Sequence, residues 1–597
     1  MSDLPSASAV NRITSKGSQN QRTERSLVNP IVRRALLGLF CGSASSVFLC
    51  SAVGNVGFGL CLGALLGIGQ VFAFFDLESG SAIDRAMTGA AFSLPFWAAI
   101  NLILLPAAAG QVPQWTAGDM RALFPALIGW LLFFVSLGTL AQATRRVSVH
   151  FFGPESPRPA PSAPPKTTHI VILGGGFAGV TTAAHLEKLF RGDPTVCFTL
   201  ISETNSWLFT PMLVEVAASG LDPTHIATPL RTSLRRTRVL RSRVTGIDLK
   251  LRQVQLNEEG PQTGLHYDHL VLALGAVSNY SGNAAIAENA FEFKTLSDAM
   301  HIRNHVIDVF ERAEAETDPE RRRALLTFVV AGGGFSGAEL AGGLNDFARG
   351  MTADYLSLSP ADLRIILVHS RERILPELSV SLADYARQRM QERGVTFKLN
   401  ERVADAEPGS VTLSSGEKIA TETFIWTAGV TASPILQQLP VPHNDRGAVL
   451  VDRTLALPDY SHVWALGDGA SVPDTNSGKI CPPTAQAATR QAVCLAKNIR
   501  ASLLGRRLRE FRFRSLGSLC VVGHQTACAE IVGLKFSGLF AWLLWRGVYL
   551  SKLPGLERKV RVFTDWTLEL FFTRDIVQTI DFDGPGSRQS EPELTLR

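Results

Sequence analysis

Residues 169–186 read HIVILGGGFAGVTTAAHL, and residues 327–344 read TFVVAGGGFSGAELAGGL. Each begins as a short β-branched run, continues as G-x-G-x-x-G and passes into an Ala/Leu-rich helical pattern. In a strand–loop–helix setting the three glycines have separate tasks. The first permits a tight turn, the second lets a pyrophosphate approach the backbone, and the third allows the helix to pack closely on the strand. A single copy is a weak signal. Two copies, Gly174, Gly176 and Gly179, then Gly332, Gly334 and Gly337, predict two dinucleotide-binding units, with Phe177 and Ala178 completing the first loop.

Beyond the first loop the chain returns as VCFTLISE, ending in Glu203, 24 residues past Gly179, where a carboxylate would accept hydrogen bonds from a ribose. An acidic strand end facing solvent would read the same way. The matching strand after the second loop is LRIILVHSRERILP, with His369, Ser370 and Arg371 where an acidic residue is expected. An acidic group there would repel a 2′-phosphate, whereas Arg371 or His369 would attract one, so NADH and NADPH both remain open.

With 597 residues, roughly four structural units are expected. The eight cysteines show no CxxC or Cys/His spacing, which argues against zinc, iron–sulfur clusters and a disulfide framework; buried, reduced thiols are expected and no metal site. A net charge of +5 is too small for a nucleic-acid footprint, but basic residues beside apolar segments suit an anionic membrane surface.

The 41 positions from Ala35 to Phe75 carry no charge. A spanning helix needs only about 20 apolar residues, so two helices joined near SAVGN are expected. Further apolar runs at 86–108 and 122–143 bring the expectation to a four-helix, all-α transmembrane region at 31–146, after a disordered tail at 1–30. Arg33 and Arg34 before the first span and Arg145 and Arg146 after the last place the rest of the chain in the cytoplasm, as a multi-pass protein of a bacterial-type inner membrane. The runs lack Asp, Glu, Lys, Arg and His apart from their margins, which favours anchors over a proton pump. A proline-rich linker at 147–166 leads to the soluble part.

The strand ends YDHLVLALGA, with Ala273, Leu274 and Gly275, and HVWALGDGA, with Asp468, together with the first loop resemble the three FAD contacts of two-dinucleotide-domain flavoproteins. The implied fold is α/β: an FAD domain at 167–290 and 441–515, interrupted by an NAD(P)H domain at 291–440. FTPMLVEVAASGLDP (209–223), FIWTAGVTASP (424–434), PPTAQAATRQA (482–492) and SGLFAWLLWRGVYL (537–550) occur in order and resemble the type II NADH:quinone oxidoreductases over about residues 168–575. That resemblance implies FAD as cofactor, NADH or NADPH as substrate, ubiquinone or menaquinone as acceptor, and leaves a homodimer open. It assigns catalytic roles to Glu339, just after the second loop, and Gln486, and cofactor contacts to Val244, Ala428, Gly429 and Ala485. A first-turn position stabilised by the helix dipole would also account for Glu339, and an ordinary polar loop position for Gln486. Where the family commonly has His-Leu, this chain has Tyr549-Leu550.

The remaining segment, 516–597, is expected to associate with membrane. In GLKFSGLFAWLLWRGVYLSKLPG, Lys535 and Arg546 would share one side of an interfacial helix, with Trp542 and Trp545 at headgroup level; a buried core helix is the alternative. Two other functions remain open. Disulfide reductases carry a CxxxxC pair that the stretch 205–220 lacks, but a sulfide:quinone reductase would work through cysteines, with Cys481 the one to test and Cys197 a mid-strand core thiol. A non-enzymatic NAD(P)H-sensing membrane flavoprotein is the third reading.

Overall fold

Ile170, Val171, Ile172 and Leu173 are fully buried, because their strand, Thr168–Leu173, runs through the middle of a parallel sheet, the setting that selects unbroken apolar runs. The computed structural model describes residues 30–74, 90, 92–111, 122–152, 167–257 and 264–578. The sheet runs in the order Ala456–Leu457, Tyr460–Ala465, His269–Leu272, Thr168–Leu173, Val196–Ser202 and Thr237–Arg241. A second sheet, parallel throughout, has the order Phe291–Glu292, Thr423–Trp426, Thr327–Ala331, Arg364–His369 and Val395–Leu399. Tyr460–Ala465 follows the second sheet in sequence yet pairs with His269–Leu272, which precedes it. One unit is thus inserted into the other. The crossing point is tied by an antiparallel ladder, Ala276–Ser278 against Val430–Ala432.

The carboxy-terminal part is a three-stranded antiparallel sheet, Gly517–Gly523, Thr526–Ile531 and Leu534–Ser537, followed by helices Gly538–Lys552 and Leu556–Leu568. Here the interfacial-helix expectation is corrected. Lys535 lies in a strand, not on the helix that bears Arg546. Arg546 is largely enclosed and paired with Glu569 at 2.6 Å, while Trp542 and Trp545 are core residues. The sequence reading carried one helical phase across Ser537–Gly538, where the chain turns with a positive φ at Gly538. Exposed apolar side chains lie later, at Phe563, Leu570, Phe571 and Phe572.

At the amino-terminal end, helices Pro30–Val53 and Val56–Phe74 form a hairpin, and Phe124–Phe152 packs beside them. Its seam is a run of small residues four apart. A methyl on Gly42 would come 2.2 Å from the Gly63 carbonyl oxygen, and one on Gly67 would come 2.3 Å from that of Gly38. Such backbone approach supplies van der Waals contact where apolar surroundings provide no hydrophobic drive. The buried Asn101 is satisfied on both sides, donating to the Ala52 carbonyl at 3.0 Å and accepting from the Trp130 indole at 2.8 Å. Among the described residues two segments, Ala35–Val53 and Phe124–Ala141, are long and apolar enough to cross a membrane, where four spans were expected; Val56–Gly69 and Phe92–Ala108 are shorter. The linker's first residues extend the last helix to Phe152, and the tail and the rest of the linker lie outside the described residues.

The face of this bundle meets the carboxy-terminal part. Phe540 belongs to the same buried cluster as Trp97, Trp130 and Phe133, with Phe536, Leu543 and Leu544 packed against it. Phe540, Leu543 and Leu544 lie at helical spacing on one face of helix Gly538–Lys552, and Phe536 joins them from the preceding strand.

Candidate active site

The two glycine loops repeat one geometry. Gly174 and Gly332 have φ of +112° and +114°, backbone that only glycine adopts without strain. A methyl on Gly179 would lie 1.9 Å from the Gly174 oxygen, and one on Gly337 would lie 1.7 Å from the Gly332 oxygen. By contrast, a methyl on Gly176 would meet nothing within 4 Å and one on Gly334 would meet only Glu377 at 3.8 Å. The crowded glycines fasten helix to strand; the second glycine of each loop faces open space where a pyrophosphate would lie. Trp207, edge-on to Phe177 at 5.3 Å, keeps a buried indole N–H without a partner among the described residues, a further polar group that a bound cofactor could satisfy.

The expected FAD contacts converge. The Ala273 carbonyl lies 2.1 Å from where a Gly174 methyl would be, a Gly467 methyl would lie 3.2 Å from Ala178, and a Gly469 methyl 2.9 Å from the Gly275 oxygen. Leu274 stands between Ala273 and Gly275 on this strand end, and the ladder just beyond brings Ala428 and Gly429 beside it, with the Gly429 carbonyl accepting from Asn279 N–H at 3.2 Å. Burial raises the Asp468 carboxyl, with Lys294 from the inserted unit opposing. Asp468, Cys481, Thr484 and Gln491 share one cleft. The Ala485 helix starts there, capped by Thr484, whose hydroxyl accepts from Ala487 N–H at 3.2 Å. Glu203 pairs with Arg243 at 3.1 Å, one residue before Val244 begins the next strand.

His369 lies against the second loop. Its Nδ1 accepts the Gly333 N–H at 3.0 Å and its Nε2 is buried, so the ring props the second loop from beneath. Burial holds its pKa below the ordinary value, with Arg371 adding to the shift. Arg371 is exposed.

Glu339 is the fifth residue of helix Phe335–Met351, past the first turn, which corrects its expected helix-start position. It accepts the Val521 N–H at 3.1 Å. Burial pushes its carboxyl up to about 8, with Glu215 adding to the rise against the Val521 hydrogen bond. One turn on, the same helix is squeezed from two sides: a Gly342 methyl would lie 2.6 Å from Val522 backbone, and a Gly343 methyl 2.9 Å from Val214. Tyr549 is close by, its ring edge-on to Phe209 at 6.1 Å and to Trp545 at 4.7 Å. Phe209 in turn lies 5.7 Å from Phe177 of the first loop. Gln486 engages the chain: its Oε1 accepts Leu516 N–H at 2.9 Å and its Nε2 donates to the Gly517 carbonyl at 3.2 Å.

Sequence reasoning missed Gln491, whose Oε1 accepts the Gly467 N–H at 2.8 Å beside Asp468, and Glu215. The second had a signal, a lone carboxylate in the apolar stretch FTPMLVEVAASG. Cys197 is exposed, correcting its reading as core, and of the described cysteines only Cys41, Cys520 and Cys528 are buried. No group of three or more metal-ligating side chains occurs among the described residues.

Two nucleotide loops on two sheets, one parallel throughout and the other parallel but for its edge strand Ala456–Leu457, with one unit inserted in the other, define a two-nucleotide flavoprotein, and the family described as pyridine nucleotide-disulphide oxidoreductase matches residues 168–492. The NDH2 C-terminal domain matches residues 516–575. The chain belongs to the type II NADH:quinone oxidoreductase family. It is 34% identical over 435 residues to the type II NADH:quinone oxidoreductase Ndh of Mycobacterium tuberculosis, covering 70% of this chain and 92% of that one. Demethylphylloquinone reductase NdbB of Synechocystis is 31% identical over 406 residues, 66% of this chain and 95% of the relative. Among solved structures, NDH2 of Plasmodium falciparum in complex with NADH shares the fold, with TM-score 0.65 and 19% identity over 69% of this chain and 100% of that one.

Proposed function

We propose that the chain transfers hydride from NADH to a bound FAD and passes the electrons to a membrane quinone, without pumping protons. The observation that carries this is the pair of equivalent glycine loops, at Gly174 and Gly332, each with its second glycine facing open space. Gly174–Gly179, Ala273–Gly275 and Asp468 fit the FAD, and bound FAD supplies the two-electron redox chemistry. The Gly332–Gly337 loop receives the nicotinamide nucleotide; Arg371 gives NADPH a route to recognition. Glu339, whose raised pKa lets it hold a proton near neutral pH, delivers that proton to the quinone, and Gln486 fixes the adjoining carboxy-terminal sheet. The relatives named for NADH:quinone and demethylphylloquinone reduction support the acceptor class.

Cys481 serves sulfur chemistry poorly: burial pushes its thiol up to about 11, so little thiolate is available. The amino-terminal helices act as a multi-pass anchor, supported by the long uncharged run Ala35–Phe75, and Arg33, Arg34, Arg145 and Arg146 support a cytoplasmic catalytic body. The exposed Phe563, Leu570, Phe571 and Phe572 provide lipid contact. The test is anaerobic. NADH bleaches the flavin absorbance, and a short-chain quinone restores it through repeated cycles; bleaching without restoration by any quinone leaves only a sensor.

A further inference from the structure

Glu215 is absent from the roles above, yet it stands where a second carboxyl beside Glu339 would matter. It lies on the short helix Leu213–Ala217, against which helix Phe335–Met351 packs through Gly343 and Val214. Its Oε2 accepts the Trp566 indole N–H at 2.5 Å. Behind it Arg546 stacks between two indoles, 3.8 Å from the Trp542 centroid and 4.8 Å from that of Trp566. Arg546 pairs with Glu569 at 2.6 Å, and Glu569 pairs with Arg574 at 2.8 Å, near the surface. The groups facing Glu215 are therefore Arg546 from helix Gly538–Lys552, Glu569 and Arg574 from the segment after helix Leu556–Leu568, and Glu339 from helix Phe335–Met351.

Around this point two cations, Arg546 and Arg574, face three carboxyls, Glu569, Glu215 and Glu339, so one carboxyl is left without a counter-charge. The reaction gives that carboxyl a use. NADH + H⁺ + quinone gives NAD⁺ + quinol, and its one proton comes from water. We infer that Glu215 relays this proton, passing it to the Glu339 carboxylate after Glu339 has protonated the quinone and regaining it from water beside the Glu569–Arg574 pair. The O–H bond of Glu215 breaks as that of Glu339 forms, no electron moves in the step, and the Trp566 N–H holds Glu215 in place throughout. Burial raises the Glu215 carboxyl, with Arg546 opposing and Glu569 adding to the rise.

This rests on the quinone-reductase reading, and the experiment separates the two. Full-length protein is reduced with NADH, mixed with a short-chain ubiquinone in stopped flow, and followed by flavin absorbance across pH and in D₂O. Glu215→Gln slows reoxidation about ten-fold or more, with a displaced pH profile and an altered solvent isotope effect, while reduction by NADH is unchanged. Glu215→Asp, which keeps the carboxyl, recovers most of the rate. A Glu215→Gln variant with wild-type rate and profile overturns the relay; so do Gln and Asp variants slowed equally with unmoved profiles, which mark a packing role. Should Glu215→Gln lose its flavin, Trp566→Phe reads the same proposal, and an unmoved profile there overturns it. Wild-type protein that no quinone reoxidises removes the quinone-reductase reading itself.

Discussion

The carboxyl of Glu339 and the backbone N–H of Val521 are joined at 3.1 Å, across 182 residues of sequence. This bond fastens the helix behind the second glycine loop to the carboxy-terminal sheet. Glu339→Gln preserves the acceptor oxygen but cannot carry a proton. Quinone turnover falls at least about ten-fold while flavin content and flavin reduction by NADH stay normal. Steady-state rates at saturating quinone, with flavin absorbance as the control, check this.

The same carboxyl gives a signed pH dependence of stability. Its folded pKa of about 8 lies above its unfolded value, so the folded protein binds more protons between the two. The Glu339 contribution is fully present below the unfolded pKa and is lost as pH rises through about 8. Glu339→Gln removes that loss, so its Tm relative to wild type is higher at pH 8 than at pH 5. Thermal melts of the detergent-solubilised pair measure it.

The two loops separate by substitution. Alanine at Gly174 would meet the Ala273 oxygen at 2.1 Å, and the Gly174→Ala protein is colourless. Alanine at Gly332 would meet Thr427 Oγ1 at 2.6 Å, so Gly332→Ala keeps its flavin but loses NADH affinity by at least about ten-fold. Flavin absorbance and KM for NADH distinguish the outcomes.

Arg371 and His369 have different effects on nucleotide choice. Arg371→Glu lowers the ratio of kcat/KM for NADPH over that for NADH about ten-fold, the equivalent of about 1.4 kcal/mol. His369→Ala leaves the ratio unchanged and weakens both nucleotides, since it removes the acceptor beneath Gly333. Initial rates with each nucleotide suffice.

At the amino-terminal hairpin, Gly42→Leu drives a side chain into the Gly63 carbonyl, 2.2 Å from its first carbon. The hairpin separates, and detergent-extracted protein aggregates while the flavin spectrum is retained. Gel filtration monitored at the flavin band reports it.

The nucleotide units were legible because their backbone demands are local: a turn at positive φ and a helix lying on a strand leave glycine little competition at Gly174, Gly179, Gly332 and Gly337. The interruption was legible from the order of Gly275, Gly332 and Asp468 along the chain. What escaped depends on partners distant in sequence. Arg546 reads as a surface charge until Glu569 and two indoles enclose it, and removing one member of such a buried pair costs about 3–5 kcal/mol. The hydrogen bond from the Gly333 N–H to the His369 ring is another such contact. Glu339 resembles a helix-start anion until Val521 reaches it.

Helix Gly538–Lys552 has one edge, at Phe540, embedded among the amino-terminal aromatics and another, at Trp545 and Tyr549, lining the approach to Phe209 and the first loop. It is a party wall. A shift of the amino-terminal helices against this wall is a shift of the aromatic rings beside Glu339, so the two ends of the chain are mechanically one piece around the site.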